Sequence, residues 1–95
     1  SYNQMKIEFD RTKSERNARD RGLSFGLVED FDFDSALIVT DARRDYGETR
    51  YRAIGRLNER VVAMVFTLRG DVLRVISLRL ASRKERRIYE KAKEE

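Results

Sequence analysis

The sequence predicts one α+β domain, in which a short strand and two helices precede a four-strand antiparallel meander and a C-terminal helix. Three observations lead to this prediction: a polar, helix-permissive segment near the start, four β-rich runs separated by turn residues, and a helix-capping pattern near the end. At 95 residues the chain has room for one hydrophobic core. We therefore treat residues 1–95 as a single domain and expect residues 5–93 to be its folded part, with Met5 as the natural first residue and residues 1–4 added for expression.

The first third of the chain predicts one strand and two helices. Residues 5–9 alternate between apolar and polar side chains, as in a short strand. Arg11–Arg21 is polar and helix-permissive, and Gly22 stands where a glycine commonly closes a helix. Ser24 resembles an N-cap that opens a second short helix through Phe31.

The remainder predicts the meander and the closing helix. The β-rich runs place strands at residues 36–40, 51–57, 61–68 and 72–79, and a helix follows at residues 83–93. Asn58 and Glu59 predict a tight turn between the second and third of these strands. The third run is apolar on both faces, as expected of a central strand that is covered by a helix.

The last strand does not alternate simply. Strict alternation puts Val72, Ile76 and Leu78 on one side, and Arg74 on that same side. Either Arg74 lies at an edge of the sheet, or the strand contains a β-bulge.

The net charge of +4 hides an uneven distribution. Residues 1–34 contain six Lys/Arg against eight Asp/Glu, residues 35–95 contain fifteen against nine, and sixteen of the twenty-one basic residues are arginine. Arginine is favoured over lysine where planar, bidentate contacts to phosphate or carboxylate matter. We therefore expect an anionic partner: RNA, DNA or an acidic protein surface.

Missing residue types narrow the chemistry. The chain has no cysteine and no histidine, which excludes disulfides, thiolate or histidine metal sites and histidine-assisted nucleophiles. Its five glycines are scattered rather than grouped in a phosphate-binding loop. The longest apolar run, residues 61–66, is too short to span a bilayer, and no signal-peptide pattern is present. We expect a cytoplasmic protein with no membrane contact, no metal and no cofactor.

Residues 29–34 (EDFDFD) have two interpretations. Their alternating carboxylates suit a hard cation such as Mg²⁺. The structural alternative buries Phe31 and Phe33 and leaves the acids in solvent. We favour this alternative because no glycine turn or distal ligand accompanies the carboxylates.

Residues 43–50 (RRDYGETR) place arginines and a tyrosine around a turn. Arg43, Arg44 and Arg50 are candidates for binding RNA phosphates, and Tyr46 for stacking on a base. The alternative is an ordinary solvated loop.

Residues 77–90 (SLRLASRKERRIYE) contain the strongest functional pattern. Ser82 and Glu85 match the S-x-x-E capping box, which explains Glu85 by helix formation alone. The surrounding basic residues are surplus to helix formation: Arg74, Arg79, Arg83, Lys84, Arg86 and Arg87. Positive charges near a helix N-terminus oppose its dipole unless an anion binds there, so this pattern favours an anion site.

The same residues resemble the BrnT-like toxins. Residues 70–79 (GDVLRVISLR) and 81–90 (ASRKERRIYE) are similar to the terminal signature of that family, a strand ending I-S-A-R and a helix A-T-x-x-E-R-x-x-Y-E. The similarity extends from about Met5 to Glu90, through KIEFD, GLSF, YGETR and IGR. Leu78 departs from the usual alanine, and Arg52 stands at a usually apolar position.

The resemblance implies a ribonuclease toxin of a bacterial type II toxin–antitoxin pair, with a fold like that of the RelE toxins. It also implies a BrnA-type antitoxin, which neutralises the toxin and binds operator DNA through its own domain. The expected catalytic residues are Arg79, Arg83, Glu85 and Tyr89, and the expected RNA-binding residues are Arg74, Arg86, Arg50, Arg43 and Tyr46.

In the expected mechanism arginines stabilise the phosphate during RNA cleavage. Arg79 and Arg83 take this role. Glu85 is the candidate general base, and Tyr89 stacks on a base or donates a proton. Two alternatives remain open: an RNA-binding module without catalysis, and a protein-interaction domain that seats an acidic partner.

Overall fold

The helices and strands begin and end close to where the local sequence signals place them. The computed structural model describes residues 2–94. Its elements, in chain order, are a 3₁₀-helix Tyr2–Gln4, β1 (Lys6–Glu8), α1 (Arg11–Arg21), a 3₁₀-helix Phe25–Asp30, β2 (Leu37–Asp41), β3 (Arg50–Leu57), β4 (Arg60–Arg69), β5 (Val72–Leu80) and α2 (Arg83–Lys93). The predicted α+β class is confirmed. Within this described part, no helix is long and apolar enough to cross a membrane.

Caps at both ends explain why α1 occupies the predicted residues. The carboxylate of Asp10 accepts a hydrogen bond from the backbone N–H of Lys13 at 3.0 Å, which satisfies a free donor of the first turn. At the other end Gly22 has a φ of 71°, and its N–H donates to the carbonyl of Ala18. Glycine adopts this left-handed conformation without strain, so the helix ends there.

The second predicted helix is a 3₁₀-helix, not an α-helix. Ser24 occupies the N-cap position, but its hydroxyl makes no capping hydrogen bond. Phe25, Val28 and Phe31 are all buried and stand three residues apart. A 3₁₀-helix repeats every three residues, so this winding puts such a series on one side.

The sheet is mixed and has five strands in the order β1-β5-β4-β3-β2. Strands β2 to β5 form an antiparallel meander with β4 at the centre, and Asn58, with a φ of 56°, makes the tight turn between β3 and β4. Strand β1 adds to the other side of β5 in parallel, with Ile7 opposite Leu73. The sequence did not predict this pairing, because it joins segments more than sixty residues apart.

The hydrophobic core lies on one face of the sheet. Its strand residues pack against the segment from 23 to 33, and the buried members include Leu23, Phe25, Val28, Phe31, Phe33, Met64, Phe66 and Leu78. Gly55 allows this segment close to β3, because a Cβ atom there would lie 2.7 Å from the Phe31 ring. Tyr2 stacks on Phe33 with ring centres 4.8 Å apart, so the first 3₁₀-helix packs against this core.

Helix α1 is fixed to this core mainly through polar side chains. Its only buried residue is Ser14, whose hydroxyl accepts a hydrogen bond from the backbone N–H of Phe25 at 2.9 Å. The side-chain amide of Asn17 donates to the carbonyls of Leu23 and Leu78 at 2.7 and 2.8 Å. Asn17 therefore ties the helix to β5 without apolar packing.

Candidate functional site

The strand register decides which side chains lie on the open face of the sheet. Residues directly opposite each other in neighbouring strands point to the same side. Arg52 of β3 is opposite Val65 of β4, and Val65 is opposite Ser77 of β5. In the next row Ala63 of β4 is opposite Arg79. Arg52 and Arg79 therefore lie on one face, which is turned away from the aromatic core.

A β-bulge in β5 brings Arg74 to this open face. The register between β4 and β5 shifts between Val65 and Phe66, and Ile76 is left without a direct partner. Arg74 then lies on the same side as Ser77, although an odd spacing of three residues would put it on the opposite side of a regular strand. The bulge, one of the two alternatives drawn from the sequence, is confirmed.

The bulge also corrects which residues of β5 belong to the core. Strict alternation grouped Val72 and Ile76 with Leu78, but both of these side chains are partly exposed. The buried residues are Leu73, Val75 and Leu78. The extra residue shifts the inward–outward alternation of side chains by one position. The residues before the bulge and the residues after it therefore follow two different alternations.

A bidentate ion pair joins the end of β5 to the start of α2. Arg79 donates from Nη1 to Oε1 of Glu85 at 2.7 Å and from Nη2 to Oε2 at 2.9 Å. Glu85 also completes the predicted capping box: its Oε1 accepts from the backbone N–H of Ser82 at 2.8 Å, and its own N–H donates to the Ser82 hydroxyl at 3.1 Å. One carboxylate thus caps the helix and orients an arginine.

This pairing changes the acidity of both partners. Hydrogen bonds from Arg79, with further ones from Ser82, lower the pKa of Glu85 to about 2. The same carboxylate raises the pKa of Arg79. A carboxylate with so low a pKa is a weak base. The geometry therefore supports a positioning role for Glu85 more than the general-base role expected from the sequence.

A second bidentate pair joins Arg43 to Asp41 at the end of β2. Arg43 donates from Nε to Oδ1 and from Nη2 to Oδ2 of Asp41, both at 2.8 Å. The Asp41 side chain is only 1% exposed, and its Oδ1 lies 4.0 Å from Nε of Arg52. The hydrogen bonds from Arg43 hold the pKa of Asp41 well below its usual range, so this buried carboxylate stays charged.

Both arginine–carboxylate pairs border a groove on the open face, which we call the arginine groove. It has a volume of about 440 Å³, and Arg43, Arg52, Arg79 and Glu85 line it. Its remaining surface is mainly aliphatic and includes Leu37, Val39, Ile54, Ala63, Val65 and Ile88. Fixed guanidinium groups beside an apolar floor suit a ligand that is partly anionic and partly apolar.

The loop before β3 is ordered by its own contacts. The guanidinium carbon of Arg50 lies 4.1 Å from the centre of the Tyr46 ring, which covers one face of that ring. The Tyr46 hydroxyl donates to Asp41 at 3.3 Å, and Nε of Arg50 lies 3.4 Å from Glu48. These contacts agree with the structural alternative for this loop, and its RNA-binding role stays a prediction.

Arg74 is held at the other edge of the open face. It forms an ion pair with Glu8 of β1, the residue directly opposite it in the parallel pairing. Its side chain is about one-third exposed, so part of the guanidinium faces solvent. Its expected RNA-binding role is compatible with this position and stays a prediction.

The structure does not bring Arg83 and Arg86 into the arginine groove. Both are exposed, and neither lines it. Arg83 stands two residues before Glu85, so it lies on the far side of a helix with 3.6 residues per turn. Lys84 lies one turn before Ile88, which does line the groove. The expected phosphate and RNA-binding roles of Arg83 and Arg86 stay predictions.

Tyr89 lies inside the protein. Its side chain is 0% exposed, and its hydroxyl lies 3.3 Å from the hydroxyl of Ser35 and 3.4 Å from Nζ of Lys93. A buried ring offers no free face to an RNA base. The geometry therefore supports a structural role, the anchoring of α2 to the turn before β2, in place of base stacking.

The acidic segment follows its structural interpretation. Phe31 and Phe33 are buried, whereas Asp32 and Asp34 are exposed and Ser35 donates to Asp32 at 2.7 Å. Across residues 2–94, no three side chains of His, Cys, Asp or Glu are grouped as metal ligands.

Two residues that shape the arginine groove were not expected from the sequence. Asp41, which holds Arg43, directly follows the strand predicted at residues 36–40, and Arg52 was noted only as a departure from a family pattern. A local sequence pattern could have indicated Asp41, because an acid two residues before an arginine can form a bidentate pair with it. Arg52 has no local signal, since only the strand register places it beside Asp41.

These features define a class: a small α+β domain whose open sheet face carries carboxylate-held arginines around a groove, as expected of a protein that binds phosphodiesters. Residues 9–85 match the family described as the ribonuclease toxin BrnT of type II toxin–antitoxin systems. This match spans most of the chain, so the chain belongs to that family. A search among curated proteins found no match.

Membership of the family has two coarse consequences. It implies ribonuclease activity towards RNA and an antitoxin as partner. The matched residues include Arg79, Arg83 and Glu85 but end before Arg86 and Tyr89.

Proposed function

We propose that this protein is a metal-independent endoribonuclease toxin that inhibits growth and translation by cleaving RNA, and that a BrnA-like antitoxin neutralises it in the cytoplasm. The observation that carries the proposal is the bidentate pair of Arg79 and Glu85 beside the arginine groove. Family membership supports ribonuclease activity and an antitoxin partner in general terms. The metal independence, the BrnA-like partner, its operator binding and a RelE-like arrangement are proposals.

The proposed reaction is an internal transfer at phosphorus. The ribose 2′-oxygen forms a bond to the adjacent phosphorus, the bond from phosphorus to the 5′-oxygen breaks, and the products are a 2′,3′-cyclic phosphate and a 5′-hydroxyl. The 2′-hydroxyl loses its proton to solvent, and water supplies one to the leaving oxygen. Arg79 stabilises the negative charge that builds on the phosphoryl oxygens. Glu85 keeps the guanidinium oriented before the substrate arrives.

The proposed chemistry is slow. Glu85 is the ionisable group nearest Arg79, and with a pKa of about 2 it accelerates deprotonation little. The rate enhancement then comes mainly from arginine electrostatics. A slow ribonuclease suits a toxin that arrests growth rather than degrades RNA for nutrition.

The other arginines of the open face bind the RNA backbone in this proposal. Arg50, Arg52 and Arg74 share the face with Arg79, and each neutralised phosphate releases counterions. Binding should therefore weaken steeply as salt rises. Arg83 and Arg86 lie outside the groove and would contact only flanking phosphates.

The direct test is cleavage of single-stranded RNA by the purified protein, with and without a chelator. We expect cleavage in EDTA, cyclic-phosphate ends, and loss of activity in Arg79→Ala. Arg19→Ala is the matched control, because this arginine is exposed on α1 and lies outside the groove. Equal cleavage by both folded variants would remove Arg79 from the mechanism.

A second candidate is an RNA-binding module without catalysis, which the weak basicity of Glu85 favours. It predicts salt-sensitive RNA binding with intact RNA after long incubation. RNA in cells that express the protein separates the two candidates: cleaved RNA that disappears when the antitoxin is co-expressed indicates the enzyme, whereas toxicity with intact RNA indicates the binding module.

A further inference from the structure

The arginine groove has two unlike parts, a charged rim and an aliphatic floor. We infer that it holds one unpaired nucleotide, with the phosphate between Arg43 and Arg79 and the base against the floor. This inference rests on the proposed ribonuclease function and adds a substrate class to it: RNA with an unstacked, single-stranded base at the bound position.

The rim has hydrogen-bond donors to spare. A guanidinium carries five N–H donors. Arg43 uses Nε and Nη2 on Asp41, and Arg79 uses Nη1 and Nη2 on Glu85, with Nη1 also 3.3 Å from the Leu80 carbonyl. Within residues 2–94 the remaining donors of both side chains are available. Each arginine is therefore fixed by its own acid and still able to bind a phosphate oxygen.

The charge of the rim suits a single phosphodiester. Arg43, Arg52 and Arg79 carry three positive charges, and the two carboxylates that hold them carry two negative charges. One positive charge remains, which matches the single negative charge of one phosphate. A ligand with several adjacent negative charges would be less well balanced here.

The floor suits a base that is bound by apolar contact with its face and not by hydrogen bonds to its edges. Val39 is 53% exposed and Ile88 is 49% exposed, so both present apolar surface to a ligand. Ser77 is the one uncharged polar side chain among the described residues that line the groove. We therefore expect the groove to require a base but to discriminate poorly among the four bases.

The base must unstack from the adjacent bases and be unpaired to reach this floor. In an RNA duplex the base faces are stacked and the Watson–Crick edges are paired, so the floor is open only to single-stranded positions. An amphipathic protein segment, such as one from the antitoxin, is the other occupant that an apolar floor admits.

The test compares two oligoribonucleotides that differ at the cleaved nucleotide, one normal and one abasic. In Val39→Ser and Ile88→Ser we expect binding of the normal oligonucleotide to weaken roughly threefold to tenfold. Binding of the abasic oligonucleotide should hardly change in the same variants. Leu80→Ser is the matched control, because Leu80 is 48% exposed but lies opposite Val62 on the other side of the sheet.

Three results would overturn the inference. The first is equal weakening on the normal and abasic oligonucleotides, which would mean that the floor does not contact the base. The second is normal RNA binding and cleavage by the floor variants with loss of neutralisation by the antitoxin, which would make the floor a protein-docking surface and leave the ribonuclease function intact. The third is failure of the unmodified protein to bind or cleave either oligonucleotide, which would overturn the proposed function as well.

Discussion

Both oxygens of Glu85 lie within 2.9 Å of the two terminal nitrogens of Arg79. We predict that Glu85→Gln lowers kcat/KM less than Arg79→Ala, because the glutamine can still cap the helix but no longer holds the guanidinium with a full charge. Arg79→Ala should cost about 100-fold to 1,000-fold, as for other donors aimed at developing negative charge. Single-turnover cleavage of RNA measures both losses.

The double variant separates positioning from direct participation. If Glu85 acts only through Arg79, then Glu85→Gln should cause no further loss in a protein that already carries Arg79→Ala. Additive losses would instead indicate that Glu85 takes part in proton transfer. Far-UV circular dichroism of each variant shows whether α2 remains folded.

The low pKa of Glu85 predicts a specific pH dependence. Arg79 lowers this pKa from 4.5 to about 2, so the stabilisation is fully present above about pH 4.5 and is lost as the pH falls towards 2. The difference in free energy of unfolding between the unmodified protein and Glu85→Gln should shrink over that window. Urea unfolding at a series of pH values measures it.

The lowered pKa of Glu85 also determines how activity should depend on pH. Glu85 is ionised throughout the range from about pH 5 to 8, so it should contribute no acid limb to the rate profile there. An acid limb that is present in the unmodified protein and absent in Glu85→Gln would contradict the positioning role and restore the general-base role.

Tyr89→Phe should retain activity and lose some stability. The hydroxyl makes contacts of 3.3 Å to Ser35 and 3.4 Å to Lys93 inside the protein, so we expect the free energy of unfolding to fall by about 1 kcal/mol. A proton donor in the reaction would instead cost about 100-fold or more in kcat. Measuring kcat and urea unfolding on the same preparation distinguishes these outcomes.

Asn17→Ala should destabilise the domain without touching the arginine groove. The two carbonyls that its amide satisfies, those of Leu23 and Leu78, would lose a partner in a half-buried site, at a cost of about 1–3 kcal/mol. Arg19→Ala, on the exposed side of the same helix, should change stability by about 0.5 kcal/mol or less. Equal unfolding midpoints for the two variants would argue against a role for Asn17 in docking α1.

The bounds of both α-helices could be predicted because their signals are local. Gly22 closes α1 within its own turn, and Ser82 with Glu85 starts α2 within four residues. The four meander strands were likewise indicated by β-rich runs and by a turn at Asn58. The parallel pairing of β1 with β5 could not be predicted in this way, since no local pattern states which distant strand is the neighbour.

The candidate site was only partly predictable for the same reason. Arg79 and Glu85 are six residues apart, and their cluster is visible in the sequence. Arg52 and Asp41 come together only through the pairing of β2 with β3. Arg83 and Arg86 belong to the visible cluster, yet the direction in which α2 packs turns them away from the groove.

The single residue that separates Arg74 from regular alternation has a consequence for sequence variation in this protein. Val75 and Ser77 pair with consecutive residues of β4, so Ile76 is the extra residue between two segments that are already in register. Loss of Ile76 would give a regular strand in which Arg74 stays on the open face and Leu73 and Val75 stay in the core. If Ile76 instead entered the ladder as an ordinary residue, Arg74 would turn towards the core and Leu73 and Val75 would turn towards the open face. The position of Arg74 therefore depends on the bulge itself, and β5 should tolerate a deletion at Ile76 better than a charged residue at Leu73 or Val75.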